Sequence, residues 1–295
     1  MIYEIFHWTE YRYAESVPLS KHMLHMLPRD LPGQRVISSS LELAPQPLTV
    51  HEHLDYFGNR VSSFTISEPH LGMHIRCRSR IDCAERIVSA PEDSPSWDEA
   101  RVLWQAGEGD RFEQEFLYPS PYVPYLPELR AWAAESFPAG RPIAEAALEL
   151  TTRIHEGFVF DKTATSVSTP LTEVFKNRRG VCQDFAHLEI ACLRTLGIPA
   201  RYMSGYLRTE PPPGQPRLFG ADASHAWVAV ACPDFGWLEL DPTNDRVAGA
   251  GYVTLAWGRD YGDVSLIRGT LAGGGDHSLY LSVNVEAVAP GSSAG

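Results

Sequence analysis

Cys182 has the residue type and the position of a nucleophile. It follows a glycine and comes directly before a helical pattern in the stretch RRGVCQDFAHLEIACLRTLG. A thiol attacks a carbonyl carbon as its thiolate, and the unpaired N–H groups at a helix N-terminus favour that anion. The alternative is a structural role, because a lone cysteine in an intracellular protein is commonly a small buried hydrophobe.

His225 and Asp241 could supply the base and its orienting carboxylate. A nucleophilic cysteine needs a base within hydrogen-bond reach, and that base needs a partner that fixes its orientation. His225 begins the alternating stretch HAWVAVAC, Asp241 ends WLELD, and PDFG between them predicts a β-hairpin. A four-residue loop at PDFG would place Asp241 opposite Val228, so closer contact with His225 requires a bulge or a shifted turn.

The remaining patterns predict the elements that position these residues. LGMHIRCRSRIDC alternates apolar and polar residues and predicts a half-buried strand, one of several that form a hairpin-connected sandwich. RPIAEAALELTTRIHEG predicts a helix that ends at Gly157, and the apolar stripe after Cys182 predicts a second one that stops at Gly197. We therefore expect an α+β protein with a β-rich N-terminal domain at 1–88, a Pro-rich and helical connector at 89–140, and a catalytic core at 141–295.

Composition and charge argue against several classes of binding partner. The chain of 295 residues has a formal net charge of −12 and lacks a long basic run, which argues against nucleic acid and against an anionic membrane. An 18-residue apolar run and a signal-peptide pattern are both missing, so we expect a cytoplasmic protein. The five cysteines are scattered without CxxC spacing, so neither disulfides nor a zinc site is indicated, and we expect no metal and no cofactor.

The sequence resembles the transglutaminase-like superfamily. RRGVCQDFAHLEIACLRTLGIPARYMSGYL and SHAWVAVACPDFGWLELDPTND look like its two core motifs, in the order Cys, His, Asp. HWTEYRYAESVPLSKHMLHMLPR, GQRVISSSLELAPQP and HLDYFGNRVSSFTISEPH resemble the N-terminal domain of its bacterial two-domain branch, and WGRDYGDVSLIRG fits that branch too. The resemblance implies an antiparallel β-sandwich followed by a papain-like core in which the Cys-bearing helix packs on an antiparallel sheet.

The resemblance also implies roles for the three residues. Cys182 would be the nucleophile, His225 the general base and acid, and Asp241 the carboxylate that stabilises the imidazolium. The substrate would be a protein or peptide that carries an amide donor, with an amine as a possible acceptor. A cysteine peptidase or amidase, in which water resolves the same thioester, is the first alternative; a catalytically idle binding scaffold is the second.

Three further residues are candidates for substrate binding. Trp227 is also considered, on position alone, as a second oxyanion donor, and Tyr261 lies in GRDYGD, where polar residues are often turn formers. Asp184, two residues after Cys182, could bind substrate cations or could bond within the first turn of its helix, and we favour the structural role. His187 is interpreted as a helix-face residue and not as a second base.

Overall fold

The computed structural model describes residues 1–85, 90–108, 110–209, 220 and 222–288. Its strands are β1 Ile2–Val17, β2 Leu19–Leu24, β3 Gln34–Ala44, β4 Val50–Leu54, β5 Arg60–Ile66, β6 His70–Cys83, β7 Val159–Phe160, β8 Arg179–Gly180, β9 Ala200–Leu207, β10 Ala223–Cys232, β11 Gly236–Asp241, β12 Arg246–Val247, β13 Tyr252–Gly258, β14 Ile267–Ala272 and β15 His277–Val288. Its α-helices are α1 Trp97–Gln105, α2 Arg111–Gln114, α3 Pro127–Ala134, α4 Ile143–Gly157, α5 Leu171–Asn177, α6 Cys182–Leu196 and α7 Tyr261–Val264.

Two antiparallel four-stranded sheets form the N-terminal sandwich. Their strand orders are β15-β1-β6-β3 and β14-β2-β5-β4. The alternation in LGMHIRCRSRIDC appears as β6, in which Met73, Ile75 and Cys77 are buried between the sheets with Phe64 and Ile66 of β5. The predicted half-buried strand and the sandwich are therefore confirmed.

The last two strands return to the N-terminal sheets. β14 pairs with β2, and β15 pairs with β1 along its whole length, from Ile2 opposite Val288 to Tyr13 opposite His277. The sequence analysis placed this tail in the core at 141–295, but hydrogen bonding makes residues 267–288 part of the sandwich. The expected boundary between residues 88 and 89 lies outside the described residues.

The core is built on a five-stranded antiparallel sheet with the order β12-β11-β10-β9-β13. α6 packs against β9 and β10, and its side chains are buried from Asp184 to Leu196 because the sheet covers one face while α3, α4 and α5 cover the others. α4 ends at Gly157 and α6 is followed by Gly197 in the left-handed conformation, as the sequence predicts. The α+β class is thus confirmed.

Side-chain amides of the sandwich cover the β13 edge of the core sheet. Gln34 accepts from the Thr254 backbone N–H and donates to the Thr254 carbonyl, both at 2.8 Å. Asn59 makes the equivalent pair of bonds to Trp257, at 2.9 and 2.8 Å. An uncovered strand edge has backbone N–H and C=O groups without hydrogen-bond partners. These amides supply such partners to β13 and at the same time join the sandwich to the core sheet.

Candidate active site

Cys182 is the first residue of α6, and its side chain is partly exposed. The chain enters the helix through Gly180 and Val181, the latter in an extended conformation as the N-cap residue. A Cβ at position 180 would lie only 2.7 Å from Asp184 Oδ2, so a glycine is required for this entry. The GVC motif therefore fixes the thiol at a helix N-terminus, where backbone N–H groups lack intrahelical acceptors.

A shifted turn brings His225 and Asp241 together. The β10–β11 loop holds three residues, with Cys232 opposite Gly236 and Val228 opposite Leu240. A four-residue loop would instead place Asp241 opposite Val228. Asp241 therefore lies one residue beyond Val228 in the pairing, which is nearer to His225. Asp234 and Gly236 adopt positive φ, which a local sequence pattern does not specify. His225 Nε2 lies 2.6 Å from Asp241 Oδ2.

The carboxylate of Asp241 is completely buried and fully hydrogen-bonded. Oδ2 accepts from His225, from the Tyr252 hydroxyl at 2.6 Å and from Asn244 Nδ2 at 2.7 Å. Oδ1 accepts from the backbone N–H of Thr243 at 2.9 Å and of Asn244 at 3.3 Å. These donors stabilise the charged form, which explains how a carboxylate persists at zero exposure.

The side chain of Cys182 also favours the protonated form of His225. Because Asp241 occupies Nε2, Nδ1 is the ring nitrogen that remains for the sulfur. Burial disfavours the imidazolium, but the interactions with Asp241 and Cys182 outweigh burial and raise the pKa of His225 from 6.5 to about 9. Burial likewise acts to raise the pKa of Asp241, and the bond from His225 reverses this and holds that pKa below 3.8. The pair is ionic at neutral pH.

Asp184 has the structural bonds that the sequence analysis favoured. Its Oδ2 accepts from the backbone N–H of Val181 at 2.8 Å and from the Thr165 hydroxyl at 2.6 Å, which ties the start of α6 to the loop before α5. Asp184 nonetheless lines a cavity together with Gln183 and His187.

Trp227 lies close to His225 in the structure. Its ring is fully buried behind His225, with 6.2 Å between the ring centroids, and its Nε1 donates to Glu239 at 2.7 Å. An indole N–H that is committed in this way is not free to meet substrate or an oxyanion. Trp227 packs against the imidazole of His225, and a role in substrate binding stays a prediction.

Tyr261, by contrast, lies at the N-terminus of α7 with its ring partly exposed beside Tyr122 and Tyr202. Its backbone N–H donates to His187 Nε2 at 3.1 Å. His187 is buried on α6, as interpreted from sequence, and burial lowers its pKa to about 3. Asp260 caps α7 and also accepts from the backbone N–H of Tyr122 at 2.9 Å, so it acts as a turn former.

Three residues of the site were missed by the sequence analysis. Tyr252 and Asn244 bond Asp241 as described above, and Glu189 is buried on α6 two turns after Cys182. Asn244 belongs to the quoted DPTND stretch, so its position next to Asp241 was an available signal. Tyr252 approaches from β13, across the sheet, and no local pattern indicates that contact.

Comparisons with known proteins match two regions of the chain to known families. Residues 3–82 match the family described as the bacterial transglutaminase-like N-terminal region, and residues 130–242 match the transglutaminase-like superfamily. An uncharacterized protein of Mycobacterium tuberculosis is 38% identical over 294 residues, covering 97% of this chain and 92% of its own. A protein-glutamine gamma-glutamyltransferase of Pseudomonas aeruginosa is 36% identical over 121 residues, covering 40% of this chain and 18% of its own.

Among solved structures, a "Putative Cysteine Protease" from Cytophaga hutchinsonii superposes with a TM-score of 0.78 at 21% identity, covering 99% of this chain and 92% of that one. At that identity the likeness concerns the fold, and it supports the papain-like arrangement of α6 on its sheet. Within the described part of the chain, no helix has the length and apolar character to cross a bilayer. The chain belongs to the transglutaminase-like superfamily, in its two-domain form with a bacterial N-terminal region.

Proposed function

We propose that the protein is a cysteine-dependent acyltransferase that acts on amide groups of proteins or peptides. The observation that carries the proposal is the 2.6 Å contact of His225 with Asp241 together with a partly exposed Cys182 at a helix N-terminus, whose side chain favours the imidazolium of His225. Nucleophile, base and orienting carboxylate stand in the order that acyl transfer requires. The similarity of 121 residues to a protein-glutamine gamma-glutamyltransferase supports the same reaction class.

The first half of the reaction forms a thioester. The Cys182 thiolate attacks the amide carbonyl carbon, a C–S bond forms, and the carbonyl electron pair moves onto oxygen. The backbone N–H groups of Cys182 and Gln183 precede the first intrahelical bonds of α6 and can stabilise this oxyanion. Collapse breaks the C–N bond, and the leaving amine takes the proton of the His225 imidazolium.

The second half regenerates the thiolate. An amine or a water molecule attacks the thioester carbon and gives its proton to His225, and the C–S bond breaks. Asp241 stabilises the imidazolium that forms each time, and its five hydrogen bonds hold it in place. Transferase and hydrolase differ only in the second nucleophile, so hydrolysis is the alternative outcome of the same site.

Acyl-enzyme trapping tests the proposal. Wild type is mixed with a p-nitrophenyl ester or a glutamine peptide, quenched in acid and analysed by intact and peptide mass spectrometry. We expect one acyl group on Cys182, none in Cys182→Ala, and slow acylation in His225→Ala. Adding a primary amine then partitions the products: an amide product identifies a transferase and free acid alone identifies a hydrolase. A wild-type protein that is never acylated would favour the scaffold alternative.

Alkylation by iodoacetamide between pH 5 and 9 provides a second readout that needs no substrate. Because the other four cysteines are buried, a faster reaction of Cys182 than of Cys77 or Cys192 would reflect exposure alone. The informative comparison is therefore wild type against His225→Ala, since loss of the imidazole leaves the sulfur at least as exposed and a slower reaction then reflects loss of the base. Equal rates in the two proteins would contradict the assignment of His225 as the base.

A further inference from the structure

A cavity of about 280 Å³ lies beside the first turn of α6. One wall is Pro121, Tyr122 and Pro124, and the other is the segment 167–172 that leads into α5. Gln183, Asp184 and His187 of α6 line it from the helix side, directly after the nucleophile in sequence. We call this space the α6 cavity.

Asp184 presents one fixed acceptor to the α6 cavity. The residue is 4% exposed, and both of its hydrogen bonds fall on Oδ2, from Val181 and from Thr165. Within the described ranges no donor hydrogen-bonds to Oδ1. Oδ1 is also not one of the fully buried atoms that lack a hydrogen-bond partner. The two hydrogen bonds to Oδ2 thus fix the side chain, and Oδ1 remains available to a ligand.

His187 presents one fixed donor. The residue is 3% exposed, and its Nε2 accepts the Tyr261 backbone N–H. An acceptor nitrogen carries no proton, and the neutral ring therefore has its proton on Nδ1. In the part of the chain that the structure describes, no acceptor meets Nδ1. The ring of Tyr122 stacks on the imidazole at 5.6 Å between centroids and fixes its plane.

The acceptor and the donor lie on the same helix face. Positions 184 and 187 are three residues apart, which places their Cβ atoms about 5–6 Å from each other. A ligand that satisfies both must carry a donor and an acceptor side by side. A primary carboxamide does so, because one of its N–H bonds lies on the same side as its carbonyl oxygen, whereas the N–H and C=O of a trans secondary amide point in opposite directions.

Charge selects the same ligand class. The residues that line the α6 cavity include one carboxylate and no lysine or arginine. An acidic ligand would meet Asp184 without a compensating cation, whereas a neutral amide pairs with both groups. The proline and tyrosine walls suit the apolar carbon atoms that flank such an amide.

We propose that the α6 cavity binds a primary carboxamide of the acyl donor, separate from the reacting carbonyl, with a carboxamide N–H on Asp184 and the carboxamide oxygen on His187. The inference rests on the proposed acyl transfer at Cys182, and it names the substrate as an amide-bearing acyl group. Asp184 and His187 are binding residues in this assignment, and the chemistry stays with the three residues described above.

Asp184→Asn is the informative variant. The Val181 N–H and the Thr165 hydroxyl need an acceptor, so the asparagine oxygen faces them and its NH₂ group takes the place of Oδ1. The bonds that hold α6 are kept while the cavity atom changes from acceptor to donor. Asp161→Asn is the matched control, because that aspartate bonds the nearby Thr163 and does not line the cavity.

The experiment measures pre-steady-state acylation by p-nitrophenyl 4-carbamoylbutanoate, which carries a primary carboxamide, and by p-nitrophenyl pentanoate, which lacks one. The ratio of the two rates cancels leaving-group reactivity when variants are compared. We expect the ratio to fall about 10-fold or more in Asp184→Asn, with the pentanoate rate and iodoacetamide alkylation of Cys182 unchanged, and to stay at the wild-type value in Asp161→Asn. A third ester, p-nitrophenyl N-acetylglycinate, carries a secondary amide and is expected to behave like the pentanoate, because its N–H and C=O point in opposite directions.

Two results overturn the inference in different ways. An unchanged ratio in a folded Asp184→Asn that still acylates, or an equal loss with both esters, removes the amide site and leaves the proposed acyl transfer standing. Absence of acylation of wild type by every ester removes the proposed function, and the cavity assignment with it.

Discussion

The hydroxyl of Tyr252 and the imidazole of His225 donate to the same oxygen, Asp241 Oδ2, each at 2.6 Å. Two donors on one carboxylate oxygen compete for the same negative charge, so each hydrogen bond weakens the other. Because the carboxylate is buried, water does not screen either interaction. Tyr252 therefore limits how strongly Asp241 stabilises the imidazolium. It is a positioning residue, because it contacts the carboxylate and not the sulfur.

Tyr252→Phe is expected to raise the pKa of His225 further, since Asp241 loses a competing donor and becomes a better acceptor for the histidine. The proton affinity of His225 should increase about three- to tenfold. The measurement is an NMR titration of the imidazole, and Tyr280→Phe on the distant, exposed face of β15 is the control. A folded Tyr252→Phe with an unchanged titration midpoint would show that the hydroxyl only fills space.

Asp241→Asn removes the charge that offsets burial of His225, so the pKa of His225 should fall from about 9. The rate of acyl-enzyme formation is expected to drop about 10⁴-fold, as for the equivalent change in a serine protease triad. Cys182→Ala lacks the sulfur that carries the acyl group, so it should form no acyl-enzyme. Burst kinetics with a p-nitrophenyl ester measure both variants, and complete loss of the burst in Asp241→Asn as well would argue that Asp241 does more than orient and stabilise the histidine.

Gly205 faces His225 across the β9–β10 pair and has no room for a methyl group. A Cβ there would overlap the Val253 carbonyl oxygen and would lie 2.8 Å from the buried ring of Trp227. Gly205→Ala should therefore destabilise the core by about 3 kcal/mol or more, at the upper end of overpacking costs. Thermal unfolding tests this against Gly249→Ala, whose Cβ would meet no atom within 4 Å. Similar melting temperatures for the two variants would contradict the packing argument.

Local sequence patterns were sufficient to predict several secondary-structure elements. The alternation of β6 and the apolar stripe of α6 each reflect one face that is buried along a single element, so the period of the sequence carries the information. The Cys182, His225 and Asp241 positions followed from their places at the ends of such elements. Asp184 could be interpreted correctly because its partner Val181 is three residues away.

Contacts between distant segments could not be inferred in the same way. β15 alternates like any edge strand, and nothing in its own pattern selects β1 as its partner. The indole of Trp227 is oriented by Glu239 on the neighbouring strand, so its position near His225 in sequence did not indicate where its N–H points. The hairpin register depends on a left-handed Asp234, and a one-residue change in a turn alters which residues face each other.

Glu189 is a buried carboxyl group beneath the site, and it is expected to be protonated at neutral pH. Burial raises its pKa from 4.5 to about 8, and its only hydrogen-bond partner in the described chain is the Thr151 hydroxyl at 2.9 Å. That hydroxyl also donates to the Ala147 carbonyl at 2.9 Å, and one proton cannot serve both bonds. A protonated Glu189 that donates to Thr151 satisfies all three groups.

The protonation of Glu189 makes stability depend on pH. Between the unfolded pKa of 4.5 and the folded pKa of about 8 the native state binds more protons than the unfolded state, so the free energy of unfolding falls as pH rises through this window and levels off above it. The loss is on the order of 5 kcal/mol at 1.36 kcal/mol for each pKa unit. Glu189→Gln keeps the shape and donates to Thr151 at every pH, so it should remove this decline.

Urea unfolding of wild type and Glu189→Gln at pH 5, 7 and 9 measures the difference. The two proteins should be similar at pH 5, and the variant should be the more stable one at pH 9. The titrations of His225 and Asp241 are common to both proteins and cancel in the comparison. Parallel stability curves for the two proteins would mean that Glu189 is ionised in the folded state, and that a cation or water in the core meets its second oxygen.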